Sequence, residues 1–209
     1  MNWFLILEIA GAFLVAFILG SIPTGFLMVR AIKHQDIRKT GSGNIGATNV
    51  GRALGKWGFA SVLFLDALKG FLPTGAALLL FGTYPGIAAF CGSFLGHIFT
   101  PWLRFRGGKG IATGLGAFLA LDPLAMAVGV GVWLIVFLIG RYVSLASVIA
   151  ALLVFLFITF VQGSLPLSIL SGAVAILVWF THRSNMKRLL EGTENRVSFR
   201  RGDGADRKP

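Results

Sequence analysis

Long apolar runs alternate with short polar stretches along this chain, and each run reads as a membrane-spanning helix. The first extends from about Trp3 to Val29, with Glu8 in its first turns. Gly20-Ser21-Ile22-Pro23-Thr24-Gly25 interrupts it near the far end and predicts a kink there. A polar loop is expected over residues 30–56, where six Lys and Arg residues face a single acid, Asp36. The second run, from about Trp57 to Phe81, contains Asp66, Lys69 and Pro73. A turn is predicted at Thr83-Tyr84-Pro85-Gly86. The third run, about Ile87 to Pro101, carries His97 near its end. Ile111 to Leu121 is apolar but only eleven residues long, about 16 Å of helix against a hydrocarbon core of roughly 30 Å. It must be buried among neighbours or be re-entrant. Asp122-Pro123 ends it. Leu124–Ile139, Val143–Val161 and Leu167–Thr181 complete the apolar runs, with a turn at Gln162–Pro166.

Composition sharpens this picture. The chain has 209 residues, 56% of them apolar, and a mean hydropathy of +0.81, values of a polytopic membrane protein. The net charge of +11 raises nucleic acid as a partner. The cations cluster at the ends of apolar runs, as juxtamembrane charges do, so no nucleic-acid partner is expected. The first run has no cationic region before it and no small-residue cleavage site, so Met1 to Arg30 is expected to be retained rather than cleaved. Cys91 is the sole cysteine, too few for a disulfide or a thiolate metal site.

The charges also orient the chain. Placing residues 30–56, 102–110, Arg141 and the C-terminus on the cytoplasmic face leaves no Lys or Arg in any outer loop. The expected architecture is therefore all-α: a polytopic integral membrane protein with seven transmembrane helices, N-terminus outside and C-terminus cytoplasmic. A six-span arrangement with Ile111–Leu121 re-entrant would put Arg141 outside and is the weaker choice. Residues 1–190 are expected to form a single seven-span domain, and residues 191–209 a polar basic tail that is disordered.

Three polar stretches fall on one membrane face in this topology. The first is Gly41 to Arg52, dense in glycine and short hydrogen-bonding side chains. Gly41, Gly43 and Gly46 have dinucleotide-binding spacing, but no strand precedes them and a membrane span follows, so that reading fails. A Gly-rich helix cap accounts for one or two of the polar residues. It leaves Asn44, Thr48, Asn49 and Arg52 together unexplained.

The second stretch is Trp102 to Thr113, with Arg104, Arg106, Lys109, three glycines and no acid. Glycines allow close approach of backbone amides to a ligand, and a helix starting near Gly110 adds its positive end. A bound phosphate and a grip on lipid headgroups stand side by side as readings. It is not a nucleotide P-loop, because Leu103 stands where that pattern needs glycine and Gly110 where it needs Ser or Thr.

The third is Thr181 to Leu189. If the last helix continues, His182 and Asn185 share a face with Arg188 at its edge. A plain basic stop explains Lys187, but neither His182 nor Asn185. Asp66 and Lys69, three apart on one helix, read first as a structural pair. His97 stands evenly between a hydrogen-bonded helix end and a site residue. No group of acids or histidines has ligand spacing for a metal.

These stretches, in this order, resemble the bacterial acyl-phosphate-dependent glycerol-3-phosphate acyltransferase family. Gly41–Arg52, Phe105–Thr113 and His182–Leu189 carry the resemblance, with Gly20–Pro23 and Gly96-His97 in support. It covers roughly residues 12 to 196. The resemblance implies a bacterial inner-membrane enzyme with its active site on the cytoplasmic face. It implies transfer of a fatty acyl group from acyl phosphate to position 1 of glycerol 3-phosphate, giving lysophosphatidic acid and phosphate, the entry step of phospholipid synthesis. It implies no cofactor. The partners would be these two substrates, membrane lipid and, functionally, the enzyme that makes acyl phosphate.

The residues suit that chemistry. Both substrates are anions, and an activated donor needs positioning and oxyanion stabilisation more than covalent chemistry. Lys109 with the backbone of Gly107, Gly108 and Gly110 is expected to hold a phosphate. Arg52 with Asn44 and Asn49 would clamp glycerol 3-phosphate or the second phosphate, with Arg188 contributing. Ser42 and Thr48 would donate hydrogen bonds near the carbonyl, with His97 and Thr113 as further candidates. His182 is either a general base or a phosphate ligand, and Asn185 orients a substrate. The donor's own phosphate is the other candidate base. Ser42 is read as a donor rather than a covalent nucleophile, since no Asp or Glu stands beside it to orient a His. The soluble acyltransferase pattern of His with Asp five residues on is excluded, because Lys39, Trp102 and Lys187 follow His34, His97 and His182 at that distance. A transporter for a phosphate-bearing metabolite would share the basic mouth but would need polar residues through to the far face. A headgroup-binding scaffold would tolerate substitution of Ser42, Asn44, Lys109 and His182.

Overall fold

The computed structural model describes residues 3–197, among which run nine α-helices and no strand. α1 (Trp3–Gly20) and α2 (Thr24–Lys33) are one apolar run broken at Ser21–Pro23, where the sequence predicts it. α3 (Ala47–Phe81) is 35 residues long. α4 (Thr83–Ile98) and α5 (Ile111–Leu121) follow, then α6 (Pro123–Gly140), α7 (Val143–Phe157), α8 (Leu165–Thr181) and α9 (Arg183–Leu190).

Among the described residues five helical stretches are long and apolar enough to cross a membrane: Trp3–Lys33, Ala47–Phe81, Thr83–Leu103, Pro123–Gly140 and Val143–Gln162. A sixth is counted if α8 and α9, bent by 56° at their junction, form one span. α5, at eleven residues, falls short of that length. Large apolar side chains are exposed along these helices, including Leu79, Ile139 and Phe160. Ser21, Thr74, Ser93 and Thr100 are buried instead. A helix in lipid gains nothing by hiding apolar surface and must satisfy its polar groups internally.

Two predicted boundaries move. Residues 30–56 are not one loop. α2 runs to Lys33, a short 3₁₀ turn covers Ile37–Lys39, and α3 begins at Ala47. The cause is apolar residues hidden in a polar stretch: Ile37, Ile45 and Val50 are buried with Val29, Val62 and Leu103 in one cluster. Gly55, at φ 75°, kinks α3 where this part meets the apolar part. The predicted turn at Thr83–Gly86 lies one residue earlier, at Gly82 with φ 91°. Pro85 fits inside the first turn of α4, where its missing N–H has no helical partner to lose.

Packing divides the chain between Met126 and Ala127 into two compact units. In the first, α1 lies against α4 and α3 against α5 at very short range. A Cβ at Gly92 would stand 2.3 Å from the Phe13 carbonyl oxygen, and one at Gly116 1.9 Å from that of Ala67. Small residues let backbones meet this closely, the usual source of helix association in lipid. Phe90 of α4 and Phe118 of α5 meet edge to face at 4.7 Å. Asp122, buried, accepts from the Ala125 amide at 2.9 Å and starts α6. In the second unit, Trp133 of α6 donates to Ser147 Oγ of α7 at 3.2 Å. Gly172 of α8 packs beneath Phe155 of α7.

Candidate functional site

The first polar stretch folds as a loop running into α3. Asp36 starts it, accepting from the Arg38 amide at 3.0 Å and from the Arg38 guanidinium at 2.7 and 2.9 Å. The hydrogen bond from the Arg38 side chain is the main reason its carboxyl lies down at about 2. At the centre of the loop is Asn49, only 2% exposed. Its Nδ2 donates to the carbonyls of Ile37, Thr40 and Asn44, and its Oδ1 accepts from the Ser42 amide at 3.0 Å. Asn49, expected to clamp a substrate, has its amide bonded to the loop's own backbone. The Asn44 side chain likewise turns to the loop, its Oδ1 accepting from the Gly46 amide at 2.8 Å. What the loop presents outward is Ser42, exposed, with Arg52, also exposed, its stem running beside Gly41. Thr48 is half-buried and lies one turn before Arg52 on α3.

The second stretch is pinned to the end of α4. The Gly107 amide donates to the Ile98 carbonyl at 2.9 Å and the Gly108 amide to the His97 carbonyl at 3.1 Å. A Cβ on Gly107 would stand 2.0 Å from the His97 carbonyl oxygen, and one on Gly108 2.0 Å from His97 Nε2. The two glycines are thus needed for close packing. Their amides, expected to face a phosphate, are instead bonded to α4. Gly110, at φ 81°, turns the chain into α5, whose opening amides have no partner within the helix. Lys109, half-buried, stands between the pinned glycines and this helix start. Thr113 is fully buried, with its carbonyl 2.1 Å from where a Gly70 Cβ would lie. It belongs to the α3–α5 packing rather than to an open site.

The third stretch lies in the second unit. His182 is 3% exposed, and its Nδ1 lies 2.8 Å from the Val178 carbonyl oxygen. A carbonyl only accepts, so Nδ1 carries a proton there, which leaves Nε2 as the ring nitrogen that can exchange one. Asn185 and Arg188 converge on a residue missed by the reading of the sequence. Glu194 Oε1 accepts from Ser144 Oγ at 2.8 Å and from Asn185 Nδ2 at 2.6 Å, and Oε2 accepts from Arg188 Nε at 2.8 Å. Burial pushes the Glu194 carboxyl up, but the bonds from Asn185, Ser144 and Arg188, with the Arg188 charge, bring it below the usual range. Up to Val197, then, the supposed tail is held, its last described amide donating to the Arg141 carbonyl at 2.9 Å. The rest of that expectation lies outside the described residues. The signal was there: Gly192, at φ 69°, is a helix stop that folds the next residues back, so the Thr193 and Glu194 amides donate to the Arg188 carbonyl.

One family model matches residues 10–192, that of glycerol-3-phosphate acyltransferases. A glycerol-3-phosphate acyltransferase of Geobacter sulfurreducens is 46% identical over 183 residues, spanning 87% of this chain and 94% of its own. One from Sinorhizobium fredii is 44% identical over 183 residues, at 87% and 88% coverage. Among solved structures, PlsY (YgiH), an integral membrane glycerol 3-phosphate acyltransferase, matches in its glycerol 3-phosphate form. The TM-score is 0.87 at 40% identity, covering 91% of this chain and 96% of that one. Its lysophosphatidic acid form matches with a TM-score of 0.83 at 38% identity, over 91% and 95%.

Proposed function

The chain belongs to the glycerol-3-phosphate acyltransferase family, and from that premise we propose that it moves a fatty acyl group from acyl phosphate to the 1-hydroxyl of glycerol 3-phosphate. The products are lysophosphatidic acid and phosphate. The hydroxyl attacks the acyl carbonyl carbon, the carbon–oxygen bond to phosphate breaks, and phosphate leaves with the electron pair. The hydroxyl proton goes to the His182 Nε2 or to the departing phosphate. A seven-span bacterial inner-membrane arrangement, with the N-terminus outside, puts the three polar stretches at the cytoplasmic rim. The acyl chain then stays in the bilayer while its phosphate reaches the basic loop.

The observation that carries this reading is Lys109. It stands at the start of α5, directly after two glycines locked to α4. A cation and the opening amides of a helix in one fixed place suit a tetrahedral oxyanion. Lys109 and the opening amides of α5 hold one phosphate, and Arg52 the other; Arg188 is a further substrate-binding cation. Ser42 and Thr48 donate toward the carbonyl. Asn49 holds the first loop in shape, and Asn185, anchored on Glu194, orients a substrate.

The test supplies palmitoyl phosphate and glycerol 3-phosphate to purified wild type and Lys109→Ala in a membrane mimetic, following phosphate and lysophosphatidic acid together. Product from the wild type and little from the variant is expected. A folded wild type that makes none with any acyl phosphate would sink the reading. Equal product from both proteins would discard the role of Lys109.

A further inference from the structure

A buried charged cluster lies beneath the central loop, in the first unit, and the acyl-transfer chemistry makes no use of it. Asp66 and Lys69 of α3 pair at 2.8 Å, and the side chains of both are more than nine-tenths buried. Lys69 Nζ also donates to the Ile22 carbonyl at 2.7 Å. That carbonyl lies in the break between α1 and α2. Thr24, just after the break, donates its hydroxyl to Asp66 Oδ1. His97 of α4 faces the same carboxylate, with Nδ1 3.9 Å from Asp66 Oδ1. It is 4% exposed and its Nδ1 has no hydrogen-bond partner. A buried ring nitrogen left without a hydrogen-bond partner costs free energy, so the fold holds it there against that cost.

On its other side the ring meets the central loop. Nε2 lies against Gly108, and the His97 backbone carbonyl accepts the Gly108 amide. The loop's other end hangs on the same helix break: Thr100 Oγ1 donates to the Ser21 carbonyl at 2.6 Å, and Trp102 Nε1 to Ser21 Oγ at 2.9 Å. The helix break and the end of α4 therefore hold the central loop from two sides, and the middle of α3 holds the break and faces His97.

We propose that Asp66, Lys69 and His97 form a buried latch that positions the glycine loop, and through it Lys109, for acyl transfer; the proposal rests on the function assigned above. They are positioning residues. Asp66 and Lys69 lock the helix break to α3, His97 is aligned by the Asp66 carboxylate, and His97 sets the height of Gly107 and Gly108. Displacing a phosphate-holding loop by about 1 Å can cost on the order of a hundredfold in rate.

The test compares wild type, D66N, the charge-balanced pair D66N/K69M, H97N and H97L in a membrane mimetic. Three quantities are read: thermal stability, kcat and KM for both substrates, and hydrogen exchange of the Gly107 and Gly108 amides. D66N leaves Lys69 buried without its anion and melts lowest; the paired variant recovers most of that stability. The latch predicts that the paired variant and H97L nevertheless exchange these two amides at least about tenfold faster, with a raised KM for a phosphate-bearing substrate. H97N, which keeps an amide where Nδ1 stands, lies between H97L and wild type. A merely structural role would lower the folded fraction and so kcat, with KM unchanged. The latch is overturned if the paired variant regains wild-type KM along with its stability, or if H97L leaves loop exchange unchanged. Should D66N fail to fold, the His97 variants decide alone, because they leave the ion pair intact. Loop exchange scores the latch even if the wild type makes no lysophosphatidic acid, an outcome that would sink the functional reading separately.

Discussion

At the residue scale, glycine and asparagine do different work from what their chemistry first suggests. Gly107 and Gly108 read as phosphate cradles, and each also marks a contact too close for a side chain. Gly107→Ala is expected to reduce acyl transfer more than Gly108→Ala. The first clashes with the His97 backbone oxygen, fixed within α4, and the second with the tip of the His97 ring, which yields only by shifting from its place beside Asp66. Rates of the two variants at matched folded concentration check the order. Asn49→Leu removes four hydrogen bonds from a buried site. At roughly 1 kcal/mol each, the loss should lower stability by about 3–4 kcal/mol and collapse activity. Asn49→Asp keeps the bond from the Ser42 amide but turns an anion on three carbonyls. It should be rescued little, as a melting curve and an assay of each would show.

At the scale of elements, the turn after α9 decides whether the third stretch is assembled. Glu194 holds Ser144, Asn185 and Arg188 together. Glu194→Gln retains an acceptor but loses the anion beside Arg188, and should lower both stability and kcat. The pH dependence has a definite sign. The folded Glu194 carboxyl lies below its ordinary 4.5, so its contribution is full above that value. It is lost as pH falls through the depressed folded value. Stability measured from pH 7 downward should therefore fall less steeply below pH 4.5 in Glu194→Gln than in wild type.

At the scale of the molecule, topology is the outstanding feature to test. With Cys91 replaced by serine, single cysteines at Lys39, Tyr84, Arg141 and Gly163 can be probed with an impermeant maleimide on intact cells. A seven-span chain with its N-terminus outside predicts labelling from outside at 84 and 163 and protection at 39 and 141. The six-span alternative would expose 141. In that seven-span arrangement the five long helical stretches, the bent pair of α8 and α9, and the short α5 would each be one span. Among the described residues α5, at eleven residues, is the shortest of these segments.

The sequence by itself determined that the chain is a helical membrane protein, where most of its apolar runs lie, where its polar stretches interrupt them and which family it resembles. Those features are local: hydropathy over twenty residues, the charge at the end of a run, the order of short motifs. Helix starts within polar stretches were not local, since Ile37, Ile45 and Val50 reveal themselves as apolar anchors only when packed on Val29 and Leu103. The destinations of hydrogen bonds were not local either. Asn49 and the glycine amides look ligand-facing along the chain, yet they are satisfied by carbonyls of the loop and of α4. Glu194 joins Asn185 from nine residues away, across a helix stop, and Asp66 meets Thr24 across forty-two. Tertiary structure decided these pairings because a buried polar group must find a partner wherever the fold brings one within reach.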